Sequence, residues 1–295
     1  MSTLRRLIII VLLISLSACS GGGSLFPSPT PVPPTDTPEP PTATPVPMAL
    51  TVNSDGITME EFNAELARYK ASQVALGIQQ TDQQAAGPVI DDFVNQLLLV
   101  QGAREAGFTL DDAGLQARID ALVSQLGSAD KLATWQQAHG YTDISFRAAL
   151  KREAAAAWMR DQIASKVPAS MEQVHIRQIL FYNQDAAQNY LNQLQAGASF
   201  DDLAAQADPL TLGDLGWIAR GYLPEKAVED AAFALEPGKY SDIVKDTVGF
   251  HIIELIERQA DRLLSPDELL ALQNRAVEDW LADRRQHSSV VLAPK

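Results

Sequence analysis

Apolar residues recur at helical spacing through most of residues 58–167, after a short strand at residues 49–53 and a turn at Asp55-Gly56. Capping residues indicate where helices begin and end, since Ser, Thr and Asp are favoured before the first turn and Gly after the last. Proline is tolerated in a first turn, so Pro88 is expected to open a helix. The pattern predicts one helix from residue 58 and further helices at residues 88–107, 109–127, 128–139 and 143–167.

One more helix is predicted near the end of the chain, where Ser265, Pro266 and Glu268 occupy the positions of an N-cap, a first-turn proline and a capping-box acid. Its apolar stripe consists of Leu269, Leu272, Ala276 and Trp280. In isolation this stripe would face water, so we expect it to pack on the N-terminal helices. The chain is therefore predicted to have an N-terminal helical part, an inserted domain and a C-terminal helix, at residues 49–168, 169–258 and 259–295.

The inserted segment changes pattern, because strand-like apolar runs now alternate with short helical ones. "VHIRQILF" reads as its first strand. Two helices follow, at residues 185–196 and 200–206, and then a strand at residues 215–218. A third helix at residues 225–235 precedes two closing strands at residues 241–246 and 249–257. This order predicts a small α+β domain of four strands with helices.

The first 48 residues have the composition of a leader and a tether. Arg5 and Arg6 precede an apolar run at residues 7–16 that is too short to span a bilayer, which predicts a signal peptide over residues 1–18. "LSAC" then resembles the bacterial lipobox, so Cys19 is expected to carry a lipid anchor; a plain secretory signal with an incidental cysteine is the alternative. Residues 19–48 hold ten of the seventeen prolines and predict a semi-rigid spacer, or alternatively a PxxP ligand.

Charge and composition exclude several classes of function. The formal net charge of −14 argues against nucleic-acid binding, which needs a basic surface, and suits a protein that stays soluble beside sticky partners. A single cysteine rules out a disulfide within the chain. The four histidines are widely spaced, so no metal site is expected.

Three motifs within the inserted segment carry a resemblance to a known family. They are GDLGW at residues 213–217, DAAFALEPG at residues 230–238 and GFHII at residues 249–253. In this order they resemble a parvulin-type peptidyl-prolyl isomerase domain, and the surrounding helices resemble the PrsA/SurA type of secreted foldase. The resemblance implies an α+β fold, in which a parvulin domain with a four-stranded antiparallel sheet is inserted into an all-α chaperone module.

The chemistry implied by the resemblance breaks no bond. Rotation about an X-Pro bond faces a barrier of about 18–20 kcal/mol, and an enzyme lowers it by favouring the twisted amide, without a cofactor or metal. Parvulins have two hydrogen-bonded histidines on neighbouring strands, and His251 matches the second. Gln178 stands where the first is expected. His175 is three residues earlier, so on a strand it points to the other face and cannot substitute.

The remaining site residues are also implied by the resemblance. Asp208 is the candidate for the acidic or thiol group that stands near the histidines, although before Pro209 it could equally form a turn. Val228 stands where the family usually has phenylalanine. The expected proline pocket and its neighbours are Leu215, Ile218, Leu223, Val228, Thr247 and Phe250.

The sequence therefore predicts a lipid-anchored extracytoplasmic foldase on the bacterial cell membrane, which isomerises X-Pro bonds and binds unfolded or partly folded exported polypeptides. The alternative is a weakly active or inactive parvulin-fold binding module, because Gln178 replaces a histidine. A third class, a solute-binding lipoprotein, would have two α/β lobes of similar size, which the long helical blocks disfavour.

Overall fold

The structure, a computed structural model, describes residues 46–293; the predicted signal peptide, Cys19 and the proline-rich segment up to residue 45 lie outside the described residues. The helices are α1 (Met59–Ala75), α2 (Asp82–Glu105), α3 (Asp112–Leu126), α4 (Ala129–Ala138), α5 (Asp143–Ala164), α6 (Gln184–Gln195), α7 (Phe200–Ala207), α8 (Lys226–Ala234) and α9 (Pro266–Gln286). The strands are β1 (Met48–Val52), β2 (Asp55–Thr58), β3 (Ser170–Phe181), β4 (Asp214–Ala219), β5 (Lys239–Tyr240), β6 (Val244–Lys245), β7 (Phe250–Leu263) and β8 (Val290–Leu292).

The long helices α2, α5 and α9 pack on one another and form the centre of the helical part. Leu272 on α9 is buried, and Trp280 packs against the cores formed by α2 and α5. A smaller core between α3, α4 and the start of α5 contains Leu115, Ile119 and Phe146. Among the described residues, none of these helices combines the length and apolar character that crossing a membrane requires.

Capping residues position most of these helices, but the prediction for Pro88 is wrong. The side chain of Thr81 accepts the N–H of Gln84 and forms a capping box, so α2 begins at Asp82 and Pro88 lies inside it. The residue before a proline normally avoids the helical conformation because its Cβ clashes with the ring. Gly87 has no Cβ, which explains why α2 continues through this point.

A small sheet joins the two ends of the described chain. Its order is β2-β1-β8, and all pairs are antiparallel. Asn53 N–H donates to Ser289 O at 2.8 Å, and Ala293 N–H donates to Ala49 O at 2.8 Å. The sequence did not indicate β8, because its three residues follow a helix and show no alternation of their own.

The inserted segment forms a five-stranded antiparallel sheet, in which β4, β3, β7 and β5 follow one another and β6 also pairs with β7. The predicted count of four strands is therefore wrong, because the predicted strand at residues 241–246 is replaced by two short ones. Ser241 lies between them. Its N–H donates to Ile253 O at 2.8 Å, while its hydroxyl accepts the Ile253 N–H at 3.0 Å. The hydroxyl thus takes the place of a backbone carbonyl and interrupts the regular ladder.

The sheet has a different core on each face. One face packs with α8 around Ile176, Ile253 and Leu255. The other face packs with α6 and α7 around Ile179 and Ile252. Because neighbouring residues of a strand point to opposite faces, the regularly paired residues 176–181 of β3 and 250–255 of β7 are each assigned to one of these two faces.

The inserted segment leaves and re-enters the helical part at one place. Ser170 pairs with Leu263, and Leu264 N–H donates to Ala169 O at 2.9 Å. β7 thus runs to Leu263, past the predicted end of the domain at residue 258. The assignment of separate domains stays a prediction.

Gly102 provides a test of the packing between α2 and α9. A Cβ at residue 102 would lie 2.7 Å from two ring carbons of Trp280. Helix propensity alone would make Gly102→Ala stabilising by about 1 kcal/mol, whereas overpacking costs about 1–3 kcal/mol. We expect Gly102→Ala to lower the free energy of unfolding in urea denaturation.

A double-mutant cycle supplies the control. In a Trp280→Leu background the ring is absent, so Gly102→Ala is expected to be neutral or stabilising. An equal loss of stability in both backgrounds would mean that contact with the Trp280 ring is not the reason why a larger residue at position 102 destabilises the protein.

Candidate isomerase site

The centre of the candidate site is a cross-strand contact between His251 on β7 and Gln178 on β3. Leu180 pairs with His251 and Gln178 pairs with Ile253, so the two polar side chains share a face as diagonal neighbours. The Nδ1–H of His251 donates to Oε1 of Gln178 at 2.7 Å. His251 is only 4% exposed. A glutamine therefore meets this histidine where the family resemblance implies a second histidine.

Asp246 lies against the other ring nitrogen of His251. Its Oδ1 is 3.0 Å from Nε2, and the side chains are 5% exposed for His251 and 9% exposed for Asp246. The same oxygen accepts the N–H groups of Val248 at 2.7 Å and Gly249 at 2.9 Å. His251 is thus held between an amide oxygen and a carboxylate.

Asp246 was missed in the sequence, although its surroundings contained a signal. In "DTVGFH" the aspartate precedes a glycine by three residues, which is typical of a side chain that accepts backbone N–H groups in a turn. Such a turn places the carboxylate beside the first residues of β7. What the spacing did not indicate is that His251 would be within reach.

Asp208, the carboxylate expected near the histidine, has other partners. It ends α7 and is half-buried, and its carboxylate accepts the N–H groups of Leu210 and Thr211 and the hydroxyl of Thr211. These contacts correspond to the alternative interpretation, in which Asp208 forms a turn. Asp246, and not Asp208, is the carboxylate in contact with His251.

Gly213, the first residue of the GDLGW motif, fixes the backbone of Gln178. Its φ is 70°, a backbone conformation that residues with a side chain rarely adopt. A Cβ at this residue would lie 1.9 Å from the carbonyl oxygen of Gln178. The Gln178 N–H donates to Gly213 O at 2.9 Å. The glycine therefore allows the chain before β4 to approach β3 closely at the residue that contacts His251.

The predicted apolar residues Leu215, Ile218, Leu223 and Val228 gather in one cluster, on the same sheet face as His251. They differ in exposure. Ile218 and Val228 are each 3% exposed and belong to the core, whereas Leu215 and Leu223 are only partly buried. A proline ring on this face would therefore meet Leu215 and Leu223 first.

Two further predicted neighbours lie elsewhere. Phe250 pairs with Phe181 and shares the opposite face with Ile252, towards α6 and α7. Phe250 therefore points away from the face that carries the predicted pocket. Thr247 is exposed in the turn before β7.

His175 lies on the face opposite Gln178, as the spacing of three residues implies. Its ring stacks on Trp217, with 5.5 Å between centroids, and its Nε2 is 2.8 Å from Oδ1 of Asp214. Burial raises the pKa of the Asp214 carboxyl, but the Gly216 N–H and His175 outweigh that effect and hold the pKa below its usual range. His175 thus helps to join β4 to β3.

The electrostatics of the site favour a charged carboxylate beside His251. Burial raises the pKa of the Asp246 carboxyl, but the N–H of Gly249, the contact with His251 and the N–H of Val248 together lower it below its usual range. Among residues 46–293, no three His, Cys, Asp or Glu side chains are grouped so as to hold a metal ion. The arrangement fixes a buried histidine on the sheet face that also carries a partly exposed apolar cluster.

Comparison with known families agrees with this geometry. Residues 182–257 match the family model described as the PPIC-type PPIASE domain, or rotamase. This range covers β4 to β6, most of β7 and the helices α6 to α8, and begins one residue after β3.

Named relatives are similar over different parts of the chain. Periplasmic chaperone PpiD of Haemophilus influenzae is 39% identical over 94 residues, which are 30% of this chain and 15% of that relative. Chaperone SurA of Hydrogenovibrio crunogenus is 25% identical over 243 residues, 69% of this chain and 53% of that relative. Foldase protein PrsA of Halalkalibacterium halodurans is 35% identical over 96 residues, 30% of this chain and 28% of that relative. The chain thus spans about half or less of the length of these relatives.

Asp246→Asn tests the carboxylate contact through its pH dependence. The lowered pKa of Asp246 means that its charge stabilises the folded state above the unfolded pKa of about 3.9, and that this contribution is lost as the pH falls through the folded value. At pH 7 we expect the variant to be less stable by about 1 kcal/mol. In urea denaturation, the difference from wild type should disappear in strong acid.

Asp242→Asn is the matched control, because Asp242 is an exposed aspartate only four residues away. It should change stability little at either pH. A loss for Asp246→Asn that persisted unchanged in acid would contradict the role of the charge.

Proposed function

We propose that this chain, which contains a PPIC-type parvulin domain and is homologous to the SurA and PrsA foldases, catalyses cis–trans isomerisation of X-Pro peptide bonds. The observation that carries the proposal is the contact between His251 and Gln178 on the same sheet face as Leu215 and Leu223. A buried, oriented polar pair beside an apolar surface is what recognition of a proline and its preceding carbonyl requires.

In this proposal the site works by binding the amide in its twisted form. The uncatalysed barrier of about 18–20 kcal/mol comes from amide resonance, so a surface that holds the ring and excludes water from the carbonyl lowers it. Rotation about the amide bond transfers no proton, so His251 would act neither as an acid nor as a base in this step. Its role is to keep the floor of the site in one arrangement, which Gln178 and Asp246 support from either side.

We also propose that the helical part binds unfolded exported polypeptides. Support comes from the similarity to chaperone SurA over 69% of the chain, which extends well beyond the parvulin domain. Support also comes from a cleft between α2 and α5 that is lined by both apolar and basic side chains. Its lining includes Val100, Phe108, Leu110, Ala155, Arg104, Lys151 and Arg152.

An extracytoplasmic, lipid-anchored location belongs to the same proposal. It is supported by the lipobox-like "LSAC" after an apolar run and by a relative named as a periplasmic chaperone. Under this proposal Cys19 forms a thioether with diacylglycerol, and the proline-rich segment separates the folded part from the membrane.

Cys19→Ser tests the anchor in bacterial cells that process lipoproteins. We expect the wild-type chain to incorporate radiolabelled palmitate and to sediment with membranes, and the variant to lose both properties. Ser20→Ala, one residue later, should retain both. Incorporation of label by Cys19→Ser would reject lipidation at this residue.

A protease-coupled assay on a short X-Pro peptide tests the isomerase proposal. We expect residues 46–295 to accelerate isomerisation, and His251→Ala to lower kcat/KM by roughly tenfold because the floor loses its fixed group. Gln178→His should raise kcat/KM, since it restores the pair of histidines that the resemblance implies.

His175→Ala is the matched control, because His175 lies on the opposite face of the same sheet. Its kcat/KM should stay within about twofold of wild type. If the protein binds the peptide but isomerisation proceeds at the uncatalysed rate, the isomerase proposal is rejected. The alternative, a parvulin-fold binding module, would then be supported.

A further inference from the structure

The segment between β4 and α8, residues 220–225, carries one of the two partly exposed leucines of the site. It starts with a turn in which Tyr222 N–H donates to Ala219 O at 3.1 Å. Leu223 packs from this segment onto the cluster that contains Ile253 and Leu255. The segment belongs to no helix or strand, so the position of Leu223 depends on what holds its backbone.

Glu229 of α8 holds the backbone N–H groups of this segment. Its carboxylate accepts the N–H of Gly221 at 2.7 Å and the N–H of Leu223 at 3.3 Å. Glu229 is only 5% exposed, so these bonds compensate its burial. They do not occupy the carbonyl groups of the same two residues.

Arg275 of α9 holds those carbonyl groups. Its Nη1 donates to Gly221 O at 2.5 Å and to Leu223 O at 3.4 Å. Leu272, one turn earlier on α9, lies 3.2 Å from the place that a Cβ of residue 221 would occupy. Both contacts come from a helix that packs on α2 and α5, outside the parvulin sheet.

Gly221 and Leu223 are therefore each held through both backbone groups, at the N–H by an acid of α8 and at the carbonyl oxygen by a base of α9. Removing Arg275 would leave the Glu229 bonds in place but free the segment to move away on its carbonyl side. Leu223 would then pack less closely over the site. Displacement of a positioning group by about 1 Å lowers the efficiency of a site by up to roughly a hundredfold.

We propose that Arg275 is a positioning residue for the X-Pro isomerase site, which it serves by holding the backbone of Gly221 and Leu223 so that Leu223 faces the proline ring. The proposal rests on the proposed function. If Arg275 has this role, the substrate affinity of the parvulin domain depends on how α9 packs on α2 and α5.

Arg275→Gln in the full chain tests the proposal by steady-state kinetics on an X-Pro peptide. Because Leu223 contributes to binding of the ring in ground and transition states alike, we expect KM to rise roughly three- to tenfold while kcat changes little. Arg275→Lys should recover much of the loss, since an ammonium group also donates to carbonyl oxygens. In a Leu223→Ala background, Arg275→Gln should have little further effect.

Arg284→Gln is the matched control, because Arg284 lies on the same helix but pairs with Glu105 of α2. It tests for general loosening of α9 and should leave KM unchanged. Hydrogen exchange followed by mass spectrometry adds a readout that does not need activity. Peptides covering residues 219–225 should exchange faster in Arg275→Gln than in wild type or Arg284→Gln.

The outcomes separate this proposal from the proposed function. An inactive wild type would reject the isomerase, and peptide affinity measured by fluorescence anisotropy would then take the place of KM. An unchanged KM or affinity in Arg275→Gln would overturn the positioning role, as would an equal rise in Arg284→Gln or unchanged exchange at residues 219–225.

Discussion

The antiparallel ladder between β3 and β7 is the constraint on which the rest of the structure depends. It runs from Ser170 paired with Leu263 to Phe181 paired with Phe250. One end connects to the helical part, and the other carries Gln178 and His251. Because side chains alternate between faces, the register from the pair Ile176–Leu255 onward places Gln178 and His251 on the α8 side and Phe250 on the side of α6 and α7. A shift by one residue would exchange the two faces.

The environment of His251 shows how a site can keep its geometry when one partner has changed. The side-chain oxygen of Gln178 accepts the Nδ1–H of His251. The carboxylate of Asp246, which is held by two backbone N–H groups, lies against Nε2 of the same ring. A histidine at residue 178 would have offered a ring nitrogen in place of the amide oxygen, so the glutamine preserves the contact but not the possibility of exchanging a proton. The isomerisation proposed for this chain would need an ordered surface rather than proton transfer, so it would tolerate a glutamine at residue 178 better than hydrolysis would.

What could be predicted from the sequence depended on how local the signal was. Ser265 and Glu268 form the expected capping box, and Gly127 ends α3 in the expected left-handed conformation, because these contacts lie within a few residues. The helix start predicted at Pro88 was wrong because the effect of this proline depends on the glycine before it and because Thr81 caps the helix earlier. Asp246 was missed because its contact with His251 is made by the folding of a turn against a strand. That Gln178 replaces a histidine stays a prediction, which rests on the fixed spacing of a motif; the structure adds its contact with His251.

The pairing of β1 with β8 has a consequence for how the chain reaches this structure. In synthesis and in the proposed export alike, the N-terminal helices emerge first, but α9 and β8, which pack on them and on β1, emerge last. The sheet built on β3 and β7 is complete before α9 emerges, so the parvulin domain can fold while the helices around it still lack their partner. Contacts between distant parts of a chain form slowly, and the helical part is accordingly the last to close. A chain interrupted before residue 266 would contain a complete sheet flanked by helices whose apolar faces remain uncovered.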